Sequence, residues 1–464
     1  MIEKISEEQH FDKSASSSSS SEEENKLEKK EENKSEEKEE KKENEKNEEK
    51  KEKKPIEVKE EKEEENNINL SDNKEKSKEL KDEKEVLKAD KERKIEEIIR
   101  TKGFRCQMHF VDTEDGYTLT IYRIPGKKEG PNNDYKQPVL FQHGIFDSSD
   151  GWVCNGFHSL PFIFAEHNFD VWIANSRGNK YCKKHKKFDS ESFEFWQFSF
   201  HDMGIYDIPA VINYINSINK SGEKIIYVGH SQGTSMMFSG LTQKFDFYRK
   251  NIKLFVALAP VVRIANIGST LLSILAKISI HKLVKKIKVY EMGANSKVTT
   301  NLISFFDNYA TSLTNFFINL LTDKSSKEYN NQDALSVYLN HSPCGCSLKC
   351  LIHYVQIIKS KKFIYYDYKS EANFAMYHQK EPPEYDLNVI KDFPMMLIGG
   401  EMDNLGTPED VLWLNDKLSY SNKIVYFKIL PNMGHLSFMV AKDHSWFDEP
   451  FRIILENYSK KEKK

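Results

Sequence analysis

An α/β fold with a mostly parallel sheet of about eight strands and an inserted helical cap is what this 464-residue sequence predicts. Three observations carry the prediction. Short apolar runs alternate with stretches of helical period along most of residues 101–464, the pattern of parallel strands joined by crossover helices. The later runs are continuously apolar rather than alternating, as strands covered on both faces should be. Between Val262 and about Pro383 the alternation stops, and a helix-prone stretch rich in Leu, Ile and Phe takes its place.

The chain opens on a segment of different character. Residues 1–100 hold 26 Lys and Arg against 35 Asp and Glu, a net charge of −9, with one Phe and no Tyr or Trp. Such a stretch cannot bury enough apolar surface to offset its backbone entropy, so a disordered Glu/Lys-rich tail is expected over 1–92. Glu/Lys pairs at helical spacing support transient helix there, but no apolar seam for a coiled coil is present.

Gln107–Asp112 and Tyr117–Ile124 flank Glu114-Asp115-Gly116, a hairpin signal that supplies an antiparallel edge. Strands are then expected at Pro138–Gln142, Phe169–Ala174, Lys224–Val228, Lys253–Ala259, Pro394–Gly399 and Lys423–Leu430. Helical patterns fall at Met203–Asn219, Gln232–Phe245, Pro408–Leu418 and Trp446–Tyr458, with Pro408 suited to a first turn. The domain reading is therefore a core in two parts, 93–261 and 384–464, interrupted by a helical cap or lid over 262–383. Lys282, Lys285, Lys286 and Lys288 beside apolar neighbours suit a cap with one wettable and one oily side.

Composition excludes several functions. The body carries a net charge of only +6 behind an acidic tail, which is no nucleic-acid signature. No window reaches the length of a transmembrane helix; the apolar stretches near Leu271–Ile280 and Leu302–Leu321 are broken by polar residues. The first residues have no apolar core and form no signal peptide, so the chain as written is expected to stay inside the cell. On that reading Cys106, Cys154, Cys182, Cys344, Cys346 and Cys350 are expected as free thiols, with one or two disulfides the alternative in an oxidising compartment. Cys344-Gly345-Cys346-Ser347-Leu348-Lys349-Cys350, with His341 and His353 near, invites a zinc reading. Its spacing matches no paired-Cys knuckle and no second pair exists, so no metal is expected there, and the serine chemistry set out below needs no metal or organic cofactor.

The chemistry concentrates in Gly229-His230-Ser231-Gln232-Gly233, set between a strand and a helix. A turn this sharp excludes side chains two residues before and after the serine, and it pushes the Ser231 hydroxyl out at the strand's carboxyl end. A serine nucleophile needs a base to take its proton and a carboxylate to orient the base. Asp403 follows the strand at 394–399 and His435 follows the strand at 423–430, so both reach the sheet edge that carries Ser231. Glu401 is a rival acid, and Asp410 and Asp416 are expected on the solvated face of a helix. His444 lies beyond the strand-end loop, His230 is expected to pack, and His143 to hold loop shape by a hydrogen bond. The oxyanion formed on attack needs two N–H donors, expected from the backbone of Gln232 and of Ile145 in His143-Gly144-Ile145.

These motifs resemble the acid lipase family of α/β-hydrolases, of the gastric, lysosomal and steryl ester hydrolase type, from about Ile95 to Tyr458. The resemblance rests on Gln142-His143-Gly144-Ile145, Asn175-Ser176-Arg177-Gly178-Asn179, Phe195-Trp196-Gln197-Phe198-Ser199 and Gly229-His230-Ser231-Gln232-Gly233-Thr234, with Gly399-Gly400 through Asp403 and Gly434-His435-Leu436. It implies an α/β-hydrolase fold and Ser231, Asp403 and His435 as the triad, with Ile145 and Gln232 at the oxyanion hole. It also implies a lid, neutral lipid esters as substrate, transient contact with a lipid surface through the cap, and a lysosomal or secreted setting. Two departures are visible. Position 437 is Ser where relatives carry Asp, so a carboxylate near the base is expected to be missing. Cysteines fill 344–350 where relatives tend to read Pro-Ala-Gly-Thr-Ser.

The function expected is a serine carboxylic-ester hydrolase acting on lipid esters through an acyl-enzyme. A small-ester or acyl-thioester hydrolase is the alternative within the same chemistry, and a non-catalytic lipid-binding or scaffold protein is the alternative outside it. Serine at 231 excludes the dehalogenase and epoxide hydrolase variants of the fold, which need a carboxylate there.

Overall fold

A computed structural model describes residues 84–130, 134–267, 291–292 and 328–460. The tail expected over 1–92 therefore lies outside the described residues as far as 83, and so do 268–290 and 293–327 of the expected cap. From 84 the chain is helical, and Leu87 is already buried in the core while Asp90 pairs with Lys102 at 2.7 Å.

Eleven strands are described. They are β1 (Gln107–Asp112), β2 (Tyr117–Ile124), β3 (Pro138–Gln142), β4 (Asp170–Ile173), β5 (Lys184–His185), β6 (Ile225–His230), β7 (Ile252–Leu258), β8 (Glu291–Met292), β9 (Cys346–Ser347), β10 (Met395–Gly400) and β11 (Ile424–Leu430). The main sheet runs β1-β2-β4-β3-β6-β7-β10-β11, with the two-residue β5 on β2; β8 and β9 form a separate antiparallel pair. β1–β2 and β2–β4 are antiparallel, and every later neighbour is parallel. The eight apolar runs of the sequence are the eight strands of that path, shifted by a residue or two at their ends.

Alternate residues of each central strand feed two cores. Leu140, Trp172, Tyr227, Phe255 and Leu397 face one side, and Phe141, Ile173, Val228, Val256 and Ile398 face the other. Helices cover both faces: α1 (Ile95–Thr101), α2 (Leu160–Glu166), α3 (Ile208–Ile218), α4 (Gln232–Gln243), α5 (Gln332–His341), α6 (Leu348–Ser360), α7 (Pro408–Ser419) and α8 (Asp448–Asn457). Residues of α3, α4, α6 and α7 join the first core and residues of α1, α2, α5 and α8 the second. Thus α5 and α6, which fall inside the segment expected as cap, contribute Val337 and Ile357 to the cores of the sheet itself.

The helix expected at Met203–Asn219 begins as a π-helical turn, Met203–Asp207. Close packing accounts for it: a Cβ at Gly204 would stand 2.3 Å from Met236 O on α4, and the Tyr248 hydroxyl donates to the Gly204 carbonyl. The strand order reverses between β3 and β6, where Gln142 pairs with Gly229. Loops leaving the carboxyl ends of those two strands diverge, which opens the crevice where parallel sheets of this kind bind ligands.

Candidate active site

Ser231 follows β6 and caps α4 with φ 54° and ψ −118°. The turn is closed by contact on both sides. A Cβ at Gly229 would lie 2.9 Å from the Tyr227 ring and 3.0 Å from the Gly233 backbone, and one at Gly233 would lie 2.5 Å from Gln142 O. Only glycine fits either place, so the turn brings β3, β6 and the start of α4 into direct contact. The Ser231 N–H donates to Leu258 O on β7 at 3.1 Å, and its carbonyl accepts from the N–H and the hydroxyl of Thr234.

His435 and Asp403 arrive on the loops that follow β11 and β10. The Ser231 hydroxyl is 2.8 Å from His435 Nε2, and His435 Nδ1 is 2.8 Å from Asp403 Oδ2. All three side chains are buried. With Nδ1–H donated to the carboxylate, Nε2 is left as acceptor for the serine proton. The other oxygen of Asp403 accepts from the N–H groups of Leu405 and Gly406, both at 2.8 Å. Burial alone would raise the Asp403 pKa, but His435 and these donors outweigh it and hold the carboxyl below its usual range.

His143-Gly144-Ile145 lies against the serine: a Cβ at Gly144 would be 3.0 Å from Ser231 Cβ and 3.4 Å from its hydroxyl. His143 bridges Gly144 O (2.7 Å) and the Ser176 N–H (3.0 Å), which shapes this loop. Burial lowers its pKa to about 4, so it does this as a neutral ring. Gln232 is the first residue of α4, where a helical N–H has no carbonyl of its own helix to meet.

The rivals separate cleanly. Glu401 is exposed and accepts from the Asn432 N–H at 3.1 Å. Asp416 is exposed as expected, but Asp410 is buried rather than solvated. It binds Arg263, Ala265 and Asn266, tying the chain after β7 to the start of α7. His444 faces His158 at 3.2 Å instead of the serine. Ser437 accepts from the Gly434 N–H at 2.9 Å, so position 437 closes the turn that carries His435.

Two contacts were not legible in the sequence. His230 Nε2 donates to the carbonyl of His435 at 2.9 Å, so the residue before Ser231 holds the backbone of the histidine. The Cys350 thiol donates to Gln232 Oε1 at 3.0 Å. These pairs lie 205 and 118 residues apart, and no local pattern encodes them. All six cysteines are free thiols, and among the described residues no three His, Cys, Asp or Glu side chains converge as a metal site would require.

Residues 95–156 match the partial α/β-hydrolase lipase region, and residues 137–442 match the α/β hydrolase fold. The chain is 37% identical over 366 residues to a gastric triacylglycerol lipase of Rattus norvegicus, covering 75% of this chain and 88% of that protein. It is 35% identical over 367 residues to a lysosomal acid lipase/cholesteryl ester hydrolase of Homo sapiens, covering 76% and 88%. Lipase member K of Homo sapiens is 32% identical over 362 residues, covering 75% and 87%. The chain belongs to the acid lipase family of α/β-hydrolases and, with it, to the carboxylic ester hydrolases.

Proposed function

We propose that this protein hydrolyses carboxylic esters of lipids through Ser231, His435 and Asp403. The observation that carries the reading is the unbroken relay from the Ser231 hydroxyl through His435 to Asp403, with both hydrogen bonds at 2.8 Å. His435 Nε2 takes the serine proton as the Ser231 oxygen attacks the ester carbonyl, and Asp403 keeps the ring in the tautomer that can accept it. The backbone N–H groups of Gln232 and Ile145 hold the oxyanion of the tetrahedral intermediate. The His435 proton then passes to the departing alcohol. Water, deprotonated by the same ring, attacks the acyl-serine and releases the fatty acid. The triacylglycerol and cholesteryl ester activities in the names of the relatives support a lipid ester as substrate.

The test pairs one variant with a substrate series. Ser231→Ala is expected to lower turnover of p-nitrophenyl acyl esters by at least a thousandfold and to abolish labelling by a fluorophosphonate. The unaltered protein should turn over long-chain esters above their solubility limit faster than short soluble ones. Retained activity in the variant would sink the mechanism, and a preference for short soluble esters would sink the lipid reading.

A further inference from the structure

The cysteine-bearing segment 344–350 stands on both sides of the proposed oxyanion site. Its first arm reaches the loop after β3. The Cys344 N–H donates to Phe146 O at 2.7 Å, one residue beyond Ile145, and the Cys344 carbonyl accepts from the Lys180 N–H at 2.8 Å. The Cys344 thiol stands 2.9 Å from His341 O and 3.2 Å from the Ser148 hydroxyl on the same loop. Phe146 itself has φ 61°, in the left-handed region, and packs with Cys346, Leu348 and Leu351 against the partly buried Ile145.

The second arm reaches the nucleophile turn. Cys350, in the first turn of α6, is fully buried and donates its S–H to Gln232 Oε1 at 3.0 Å. The amide nitrogen of that side chain points to Met203 Sδ at 3.7 Å, on the π-helical turn. One turn further along α6, the Tyr354 hydroxyl meets the Ser235 hydroxyl at 3.0 Å. Gln232 is thus held at both ends of its amide. Its backbone N–H has no helical partner, and these side-chain contacts restrain the residue that carries it.

We propose that Cys344–Cys350 is a brace for the oxyanion site, in which Cys350 is a positioning residue that acts through the Gln232 side chain. The inference rests on the reading that Gln232 and Ile145 are the oxyanion donors. A donor fixed before the reaction stabilises the transition state more than the ground state, so loosening it lowers kcat and leaves KM nearly unchanged. Burial pushes the Cys350 thiol well above its ordinary pKa, so it acts as the neutral S–H and not as a thiolate.

The experiment is a double-mutant cycle on the full chain with a soluble p-nitrophenyl ester. Cys350→Ala is expected to lower kcat about tenfold with KM within twofold, less than the loss from removing an oxyanion donor outright. Cys350→Ser, which keeps a donor on the same carbon, should restore most of the rate. In a Gln232→Ala background, Cys350→Ala should lower kcat no further, because the side chain it holds is gone. An unchanged kcat in Cys350→Ala, equal losses in the Ala and Ser variants, or additive losses in the cycle would each overturn the brace. Fluorophosphonate labelling of the same preparations separates that failure from a failure of the serine mechanism, in which the unaltered protein itself would not be labelled.

Discussion

Ser231 occupies a backbone conformation that costs about 1–3 kcal/mol for a residue with a side chain. It persists because its N–H and carbonyl are both tied, to Leu258 and Thr234, and because glycines remove the clashes on either side. The neighbouring His230 is part of the same restraint. Burial lowers its pKa to about 3, so it stays neutral, and Nε2–H can only donate to the His435 carbonyl. Replacing it by Phe keeps the volume and removes the donor. His230→Phe is expected to lower kcat about tenfold with little change in KM, and His230→Gln to recover part of the loss; steady-state kinetics on a soluble ester would show it.

At the scale of the element, the loop after β3, which carries the proposed oxyanion donor Ile145, also holds a buried electrostatic cluster. Asp147 is almost fully buried, and burial pushes its carboxyl up to about 7 against the pull of the Ser148 N–H, the Tyr338 hydroxyl and Lys180, with Asp150 adding to the rise. Its folded-state pKa lies above that of an unfolded carboxyl. The group therefore favours the fold below about pH 4, and that contribution is lost as the pH rises through 7. Asp147→Asn retains the acceptor for Ser148 and removes the titration. The variant should be more stable than the parent at pH 8, by of order 2 kcal/mol, with no gain at pH 4. Denaturant midpoints measured across that range would show two curves converging toward acid; parallel curves would refute the assignment.

Across the whole molecule, Arg177 joins three segments that meet only in the folded chain. Its guanidinium is fully buried and donates to both oxygens of Asp115 in the β1–β2 turn, at 2.5 and 2.9 Å. It also donates to Asp207 at the end of the π-helical turn and lies 4.0 Å from the Tyr117 ring. Arg177→Ala would leave Asp207 buried without its partner, and a loss of about 3–5 kcal/mol in chemical denaturation is expected. Arg177→Lys should recover little, since an ammonium cannot serve two carboxylates in fork geometry.

The strands were legible in the sequence because each central strand is buried on both faces, and burial on both faces writes a continuous apolar run. Ser231, Asp403 and His435 were legible for a related reason. Each follows such a run directly, and in a parallel sheet all strand ends of one polarity share an edge. The π-helical turn at Met203–Asp207 was not legible, because it answers to the close approach of α4 at Gly204 and not to periodicity. Helical position predicts a solvated face for Asp410, whereas its partners at 263–266 come from a distant part of the chain and bury it. By itself, then, the sequence determined the strands, their succession along the chain and the placing of Ser231, Asp403 and His435 at one sheet edge, all of which depend on local pattern and chain direction. Only the tertiary structure decided what holds those residues: His230 on the His435 carbonyl, and the Cys344–Cys350 segment on Phe146 and Gln232. Those restraints are contacts across more than a hundred residues, and a contact between distant segments exists only once packing has brought them together.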